Sequence, residues 1–177
     1  MRVYKKVDLD VIILWVVILK IIDYSSKYNE DIKDLLVELQ EYMVKIDREK
    51  YNILTNEYRE KYFEKTMKDI NKYEGKIFLA LEKEKIIGLI IGLINNEEER
   101  NYDFKAPKRG RVTELVVSKN YRSNGVGKQL LDKMENYFKK VGCKGILIDV
   151  FSYNENAKKF YYENNYFNRN IEVMKKI

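Results

Sequence analysis

A short stretch of the chain, RSNGVGK at residues 122–128, has the residue types and spacing to bind a phosphate group. Gly125 and Gly127 follow Arg122 and lead into a segment whose apolar residues recur with helical spacing. The first N–H groups of a helix lack partners within it, and the helix dipole adds partial positive charge there. Glycine lets an anion approach the backbone closely, and arginine adds a charged fork. The stretch therefore predicts an anion-binding turn between a strand and a helix.

Two well-known phosphate-binding motifs do not fit this turn. A P-loop needs a hydroxyl residue directly after its Gly-Lys pair, and Gln129 stands at that position. A dinucleotide fingerprint needs a third glycine three residues after the second, and Leu130 stands there. The sequence therefore speaks against a nucleotide triphosphatase and against an NAD enzyme.

A second pattern, NENAKKFYYENNYF, occupies residues 154–167. Together the two patterns resemble those of the GCN5-related N-acetyltransferase (GNAT) family, Arg/Gln-x-x-Gly-x-Gly/Ala and Asn-x-x-Ala-x-x-Phe-Tyr-x-x-x-Gly-Phe. Asn154, Ala157, Phe160 and Tyr161 match the second pattern. Asn165 replaces its glycine, and asparagine tolerates the left-handed backbone conformation. The resemblance extends from about residue 18 to the C-terminus, and it implies direct acetyl transfer from acetyl-CoA to a primary amine in a ternary complex.

The resemblance also implies which residues bind acetyl-CoA, the co-substrate, with no metal required. In the family, amides of the glycine turn bind the pyrophosphate, and main-chain groups of the preceding strand bond the pantetheine arm. The matching positions are Arg122, Ser123, Asn124, Gly125, Val126, Gly127 and Lys128 in the turn, and Leu115, Val116 and Val117 in the strand. Asn154 is a candidate to bond the cofactor arm, and a role as helix N-cap is equally compatible.

Tyr161 is the candidate that protonates the departing thiolate, because it occupies the family's tyrosine position and a phenol pKa is close to that of a thiol. The alternative is an aromatic residue that anchors the helix, and the adjacent Tyr162 is the second choice. Glu114 is the candidate general base. Some family members have a glutamate where this chain has Arg111. Strand alternation predicts that Glu114 faces opposite to both Leu115 and Arg111, an orientation that turns it away from the amine.

Two further sources for the base remain open, a water relay and a carboxylate of the long polar loop. The loop carboxylates are Glu97, Glu98 and Glu99. The missing family glutamate also leaves a second function open, a catalytically inactive domain that binds CoA as a sensor or interaction module. The acceptor is expected to be a small-molecule or peptide amine.

Composition excludes several other chemistries. The chain has no histidine and one cysteine, Cys143, so Ser-His-Asp triads, His-ligated metals and internal disulfides are ruled out. The net charge of +6 fits an anionic partner, but no aromatic-basic RNA motif accompanies it, so we expect no nucleic acid partner. The apolar run at residues 11–19 is shorter than the about 20 residues of a membrane span. We expect a cytoplasmic protein, compatible with a homodimer.

The elements that must position these residues form an α/β (α+β) pattern. We expect one domain over residues 1–177, with residues 1–15 as an N-terminal extension and a mixed, mostly antiparallel sheet flanked by about four helices. Strands are predicted at residues 16–24, on both sides of the EKEK turn at 82–85, at 112–118 and at 145–151. Helices are predicted at residues 25–43, 56–73, 126–142 and 154–165. Tyr58 and Tyr62 lie on one side of the second helix and are interpreted as part of its packing face. Residues 166–177 are predicted to end the chain as a strand pair.

Overall fold

The computed structural model describes residues 19–95 and 107–176. Its strands are β1 (Lys20–Asp23), β2 (Lys76–Glu82), β3 (Lys85–Asn95), β4 (Arg109–Val117) and β5 (Gly145–Ile148). Its α-helices are α1 (Asn29–Ile46), α2 (Tyr58–Lys72), α3 (Val126–Lys140) and α4 (Glu155–Glu163). The predicted α/β class and the four helices are confirmed. The N-terminal extension at residues 1–15 and the carboxylates at 97–99 lie outside the described residues.

The strands form one sheet in the order β1-β2-β3-β4-β5. The first four strands pair antiparallel, and β4 pairs with β5 in parallel, so the sheet is mixed and mostly antiparallel as predicted. The β2–β3 hairpin turns through Lys83 and Glu84, whose φ angles are 47° and 66°. Positive φ at both central residues matches the right-handed twist of the flanking strands, which makes this tight connection possible.

Helices cover both faces of the sheet, which explains why β2 and β3 are almost continuously apolar. On one face, α1 and α2 bury Ile32, Leu36 and Phe63 against Leu89 and Ile91 of β3. On the other face lies α3, whose apolar positions Leu130, Leu131, Met134 and Phe138 are fully buried. Phe160 and Tyr161 of α4 pack against this second cluster. The central strands are therefore held between helices on both faces.

A β-bulge in β4 changes which face its residues occupy. Ile91 of β3 lies opposite Glu114, and Gly92 lies opposite Val112, so Thr113 is an extra residue without a partner on β3. The bulge restarts the alternation of side chains. Glu114 therefore lies on the α1/α2 face together with Arg111, whose partner Leu93 is on that face. The prediction that Glu114 faces opposite to Arg111 was wrong, whereas its opposition to Leu115 is confirmed.

The predicted strand pair at the C-terminus is absent from the described residues. After α4, residues 164–176 contain neither helix nor strand. Phe167, Ile171 and Val173 are exposed, so they bury no surface against the sheet. The fifth strand also ends at Ile148, three residues before the predicted end. Alternating apolar residues therefore did not suffice to form a strand in this segment. Within the part of the chain described here, no helix is long and apolar enough to cross a membrane.

Candidate active site

The glycine turn adopts the backbone that an anion site requires. Ser123 and Gly125 have φ angles of 63° and 78°, and Gly125 is the residue directly before α3. The first helical bond runs from the N–H of Gln129 to the carbonyl of Gly125, 3.1 Å away, so the amides between them have no partner within the helix. A Cβ added at Gly125 meets nothing within 4 Å. Glycine is thus required there by its left-handed backbone, not by lack of space.

The charged side chains of the turn are engaged with other parts of the protein. Arg122 donates from Nε to the carbonyl oxygen of Val117 at 2.8 Å, and its Nη2 pairs with Glu38 of α1 at 2.9 Å. Glu38 also accepts a bond from the backbone N–H of Lys119 at 2.8 Å. Lys128 pairs with Asp132 one helical turn later. The turn therefore offers its backbone amides to a ligand, while Arg122 braces the turn against α1.

The strand before the turn has main-chain groups that the sheet does not use. Pairing between β4 and β5 ends at Val112 and Ile148, so in the described sheet the second half of β4 pairs only with β3. Val116 is buried, whereas Leu115 and Val117 are partly buried on the α3 face. The edge of this triplet that faces away from β3 can therefore bond to an extended ligand.

Asn154 is the N-cap of α4. Its side-chain oxygen accepts a bond from the N–H of Ala157 at 3.1 Å and one from the hydroxyl of Tyr42 at 3.2 Å. The capping role that the sequence left open is thus confirmed, while its contact with a cofactor stays a prediction. Asn165 has a φ angle of 64°, which confirms the left-handed conformation expected where the family has glycine.

Glu114 lies between the sheet and α2. Its Oε1 accepts a hydrogen bond from the hydroxyl of Tyr62, whose ring stacks on Tyr58 with centroids 4.8 Å apart. Burial raises the pKa of Glu114 to about 7, although the Tyr62 bond and the positive charge of Lys65 both lower it. At neutral pH this carboxyl group is therefore poised between its charged and neutral forms.

Tyr161 of α4 packs against the α3 cluster, on the other face of the sheet from Glu114. Its ring packs edge-to-face against Phe160 and Tyr166, at centroid distances of 5.2 and 5.6 Å. Burial, the larger cause, raises the pKa of Tyr161 to about 12, and the negative charge of Glu114 adds to this rise. Glu114 is near enough for its charge to act on Tyr161, although Glu114 lies on the α1/α2 face of the sheet and Tyr161 packs in the α3 cluster. Tyr162 is exposed, and its hydroxyl donates to Asn168 instead.

The glycine turn adjoins these residues through α4. A Cβ built on Gly127 lies 3.6 Å from the ring of Phe160 and 3.8 Å from Val117. A cavity of about 1210 Å³ opens along the free edge of β5, and Tyr161 is among its lining residues, but the glycine turn is not. We therefore do not assign this cavity to the pyrophosphate. No cluster of three potential metal ligands occurs among the residues that the structure describes.

Sequence reasoning missed two residues that organise the site. Glu38 holds the start of the turn, and Tyr62 holds Glu114. Tyr58 and Tyr62 are four residues apart on α2, a spacing that indicated one helix face. That face does pack, but it also carries the hydrogen bond to Glu114. Arg111, at the position of the family glutamate, pairs with Asp149 near the end of β5.

Comparisons with known proteins bear on the family and the fold of this chain. The model of the acetyltransferase (GNAT) family matches residues 41–166. An uncharacterized N-acetyltransferase of Methanocaldococcus jannaschii is 35% identical over 63 residues, which span 35% of this chain and 40% of that protein. A tetramutant of a Bacillus halodurans protein has a TM-score of 0.78 at 18% identity, with 89% of this chain and 99% of that chain covered. An aminoglycoside N-acetyltransferase in complex with CoA has a TM-score of 0.68 at 13% identity, with 94% and 99% covered. At these identities the two structures bear on the fold alone.

Proposed function

Because the chain belongs to the acetyltransferase (GNAT) family, we propose that it transfers the acetyl group of acetyl-CoA to a primary amine by direct attack in a ternary complex. The observation that carries this proposal is the glycine turn that follows β4, in which the amides before Gln129 have no partner within α3. The acceptor is a small-molecule or peptide amine. The cytoplasm is the proposed compartment, which the lone cysteine, Cys143, supports.

Acetyl-CoA is the proposed co-substrate, and the solved N-acetyltransferase complex with CoA supports this choice. The turn amides from Arg122 to Lys128 bind the pyrophosphate, where the dipole of α3 adds positive potential. The main-chain groups of Leu115, Val116 and Val117 that face away from β3 pair with the amide groups of the pantetheine arm, apart from the Val117 carbonyl that Arg122 already bonds. An N–H near Val117 then stabilises the oxyanion of the tetrahedral intermediate.

Glu114 is the proposed general base. An alkyl ammonium has a pKa near 10, so it must lose a proton before its nitrogen can attack the acetyl carbon. A carboxylate with a pKa of about 7 accepts that proton far more readily than an ordinary glutamate. The burial that raises the pKa thus also equips Glu114 for this role.

Tyr161 is the proposed general acid. As the new C–N bond forms and the C–S bond of acetyl-CoA breaks, the CoA sulfur takes the phenol proton of Tyr161, and the nitrogen gives up its second proton to solvent to become the amide. The negative charge of Glu114 is one cause of the raised pKa of Tyr161. Once Glu114 has taken the amine proton, this charge is gone, so the phenol becomes a better donor when the thiolate leaves. The two residues then exchange their protons with solvent.

Thermal denaturation with and without acetyl-CoA tests the cofactor site. We expect acetyl-CoA to raise the melting temperature of the native protein, and we expect Gly125→Glu to abolish this rise because a carboxylate repels the pyrophosphate. Gly142→Glu is the matched control, since Gly142 also has a positive φ and open space around a built Cβ. It suffers similar backbone strain but lies at the opposite end of α3. A native protein that shows no rise would contradict CoA binding.

The second candidate is a CoA-binding sensor without catalysis, which the arginine at position 111 favours. CoA release with a panel of amines separates the two. If acetyl-CoA stabilises the protein but no amine of the panel makes the native chain release CoA faster than it does without an amine, the sensor is the better description.

A further inference from the structure

We propose that Tyr62 is a positioning residue, which fixes the carboxylate of Glu114 so that one of its oxygens faces the acceptor amine. This inference rests on the proposed function, because it assigns Glu114 the role of base. The Tyr62 hydroxyl donates to Oε1 of Glu114, so Oε2 is left to take the amine proton. A glutamate side chain has several rotatable bonds, and this contact selects one of its orientations.

Tyr62 is itself held firmly enough to act in this way. Its ring lies almost parallel to that of Tyr58, with 12° between the ring planes. On the other side, the ammonium of Lys65 lies 5.8 Å from the centroid of the Tyr62 ring and pairs with Asp69 at 2.8 Å. Tyr58, Tyr62 and Lys65 all belong to α2, whose packing on the sheet is fixed by the buried Phe63. The donor is therefore attached to a rigid element.

The groups that surround Glu114 predict how the loss of this contact changes its titration. From α2, Tyr62 donates its bond, Lys65 contributes positive charge, and Tyr58 and Asp69 lie close by. On α4, the pKa of Tyr161 responds to the charge of Glu114, while the adjoining β3 residues Ile91 and Leu93 are apolar. Only the Tyr62 bond and the charge of Lys65 lower the pKa of Glu114. Removal of the Tyr62 hydroxyl therefore raises it.

The test is the pH profile of kcat/KM for Tyr62→Phe, with Tyr58→Phe as the matched control. Both variants keep the stacked rings, but only the first loses the bond to Glu114. We expect the acid limb of Tyr62→Phe to move up by about one pH unit, so that its rate is about tenfold below the native rate at pH 6 and within about twofold at pH 9. The limb of Tyr58→Phe stays in place. An equal loss at every pH, or no loss, would overturn the proposal.

Two further measurements keep the result unambiguous. If Tyr62 acts through Glu114, the hydroxyl has no further effect on the rate in a Glu114→Gln background. Infrared titration of the protonated carboxyl band, assigned by its loss in Glu114→Gln, follows Glu114 without turnover. Its midpoint rises in Tyr62→Phe if the contact matters and stays unchanged if it does not. Should the native protein release no CoA, the proposed function fails, while the infrared midpoint still decides on the contact.

Discussion

The replacement Glu114→Gln is expected to change how the stability of the protein depends on pH. The pKa of Glu114 is about 7 in the folded protein, against 4.5 for an ordinary glutamate. Between these values the folded chain keeps a proton that the unfolded chain has released, so the free energy of unfolding falls as pH rises. At about 1.4 kcal/mol per pH unit, the loss amounts to about 3 kcal/mol by pH 8. Glutamine carries no charge, so the variant avoids this loss.

Urea denaturation followed by circular dichroism between pH 4.5 and 8 measures the effect. The free energy of unfolding of Glu114→Gln, relative to the native protein, should increase by about 3 kcal/mol across this range. Glu64→Gln is the control, because Glu64 is an exposed residue of α2, two positions after Tyr62 in the sequence. A difference between Glu114→Gln and the native protein that stays constant from pH 4.5 to 8 would refute the argument from burial. The assay needs neither acetyl-CoA nor an acceptor, so it tests the site independently of the proposed reaction.

Three further predictions concern α4 and its ends. Asn154→Ala removes the N-cap that bonds the N–H of Ala157, so urea denaturation should show a loss of about 1 kcal/mol, and unchanged stability would contradict the capping role. Asn165→Ala leaves a side chain with no polar group at a φ of 64°, so it should lower the free energy of unfolding by about 1 kcal/mol. Asn165→Gly should lower it by nothing, and equal losses in the two variants would argue against backbone strain. Tyr161→Phe should lower kcat for CoA release by about 100-fold while acetyl-CoA still raises the melting temperature, and an unchanged kcat would exclude Tyr161 as the acid.

Local patterns in the sequence were sufficient for most of the fold. Local patterns predicted all four α-helices to within a few residues, and the apolar spacing of α1, α2 and α3 reflects residues that each of these helices buries. The charged tetrapeptide between two apolar runs predicted the hairpin, whose turn lies at Lys83 and Glu84. Residues 166–177 were likewise predicted to form strands, yet the described part of that segment forms none. A strand needs a partner as well as a pattern, and no sequence pattern specifies the partner.

The candidate site was predictable only in part. Its glycine turn and Tyr161 follow from motifs, since their chemistry depends on residues that are neighbours in the chain. The environment of Glu114 depends on α2, which is 52 residues away in the sequence at Tyr62. Strand alternation failed at this point because it assumes a regular strand. A bulge adds one residue to one strand only, and nothing in the residues around Thr113 distinguishes it from a continuous strand.

The bulge at Thr113 connects the catalytic and the cofactor-binding parts of the proposed site. Before it, β4 pairs with β5 at four positions, from Arg109 to Val112; after it, the strand keeps β3 as its partner but not β5. The same irregularity places Glu114 beside Tyr62 and frees one edge of the following triplet. The inserted residue thus stands where pairing with β5 ends, directly before both the proposed base and the triplet proposed to bind the pantetheine arm.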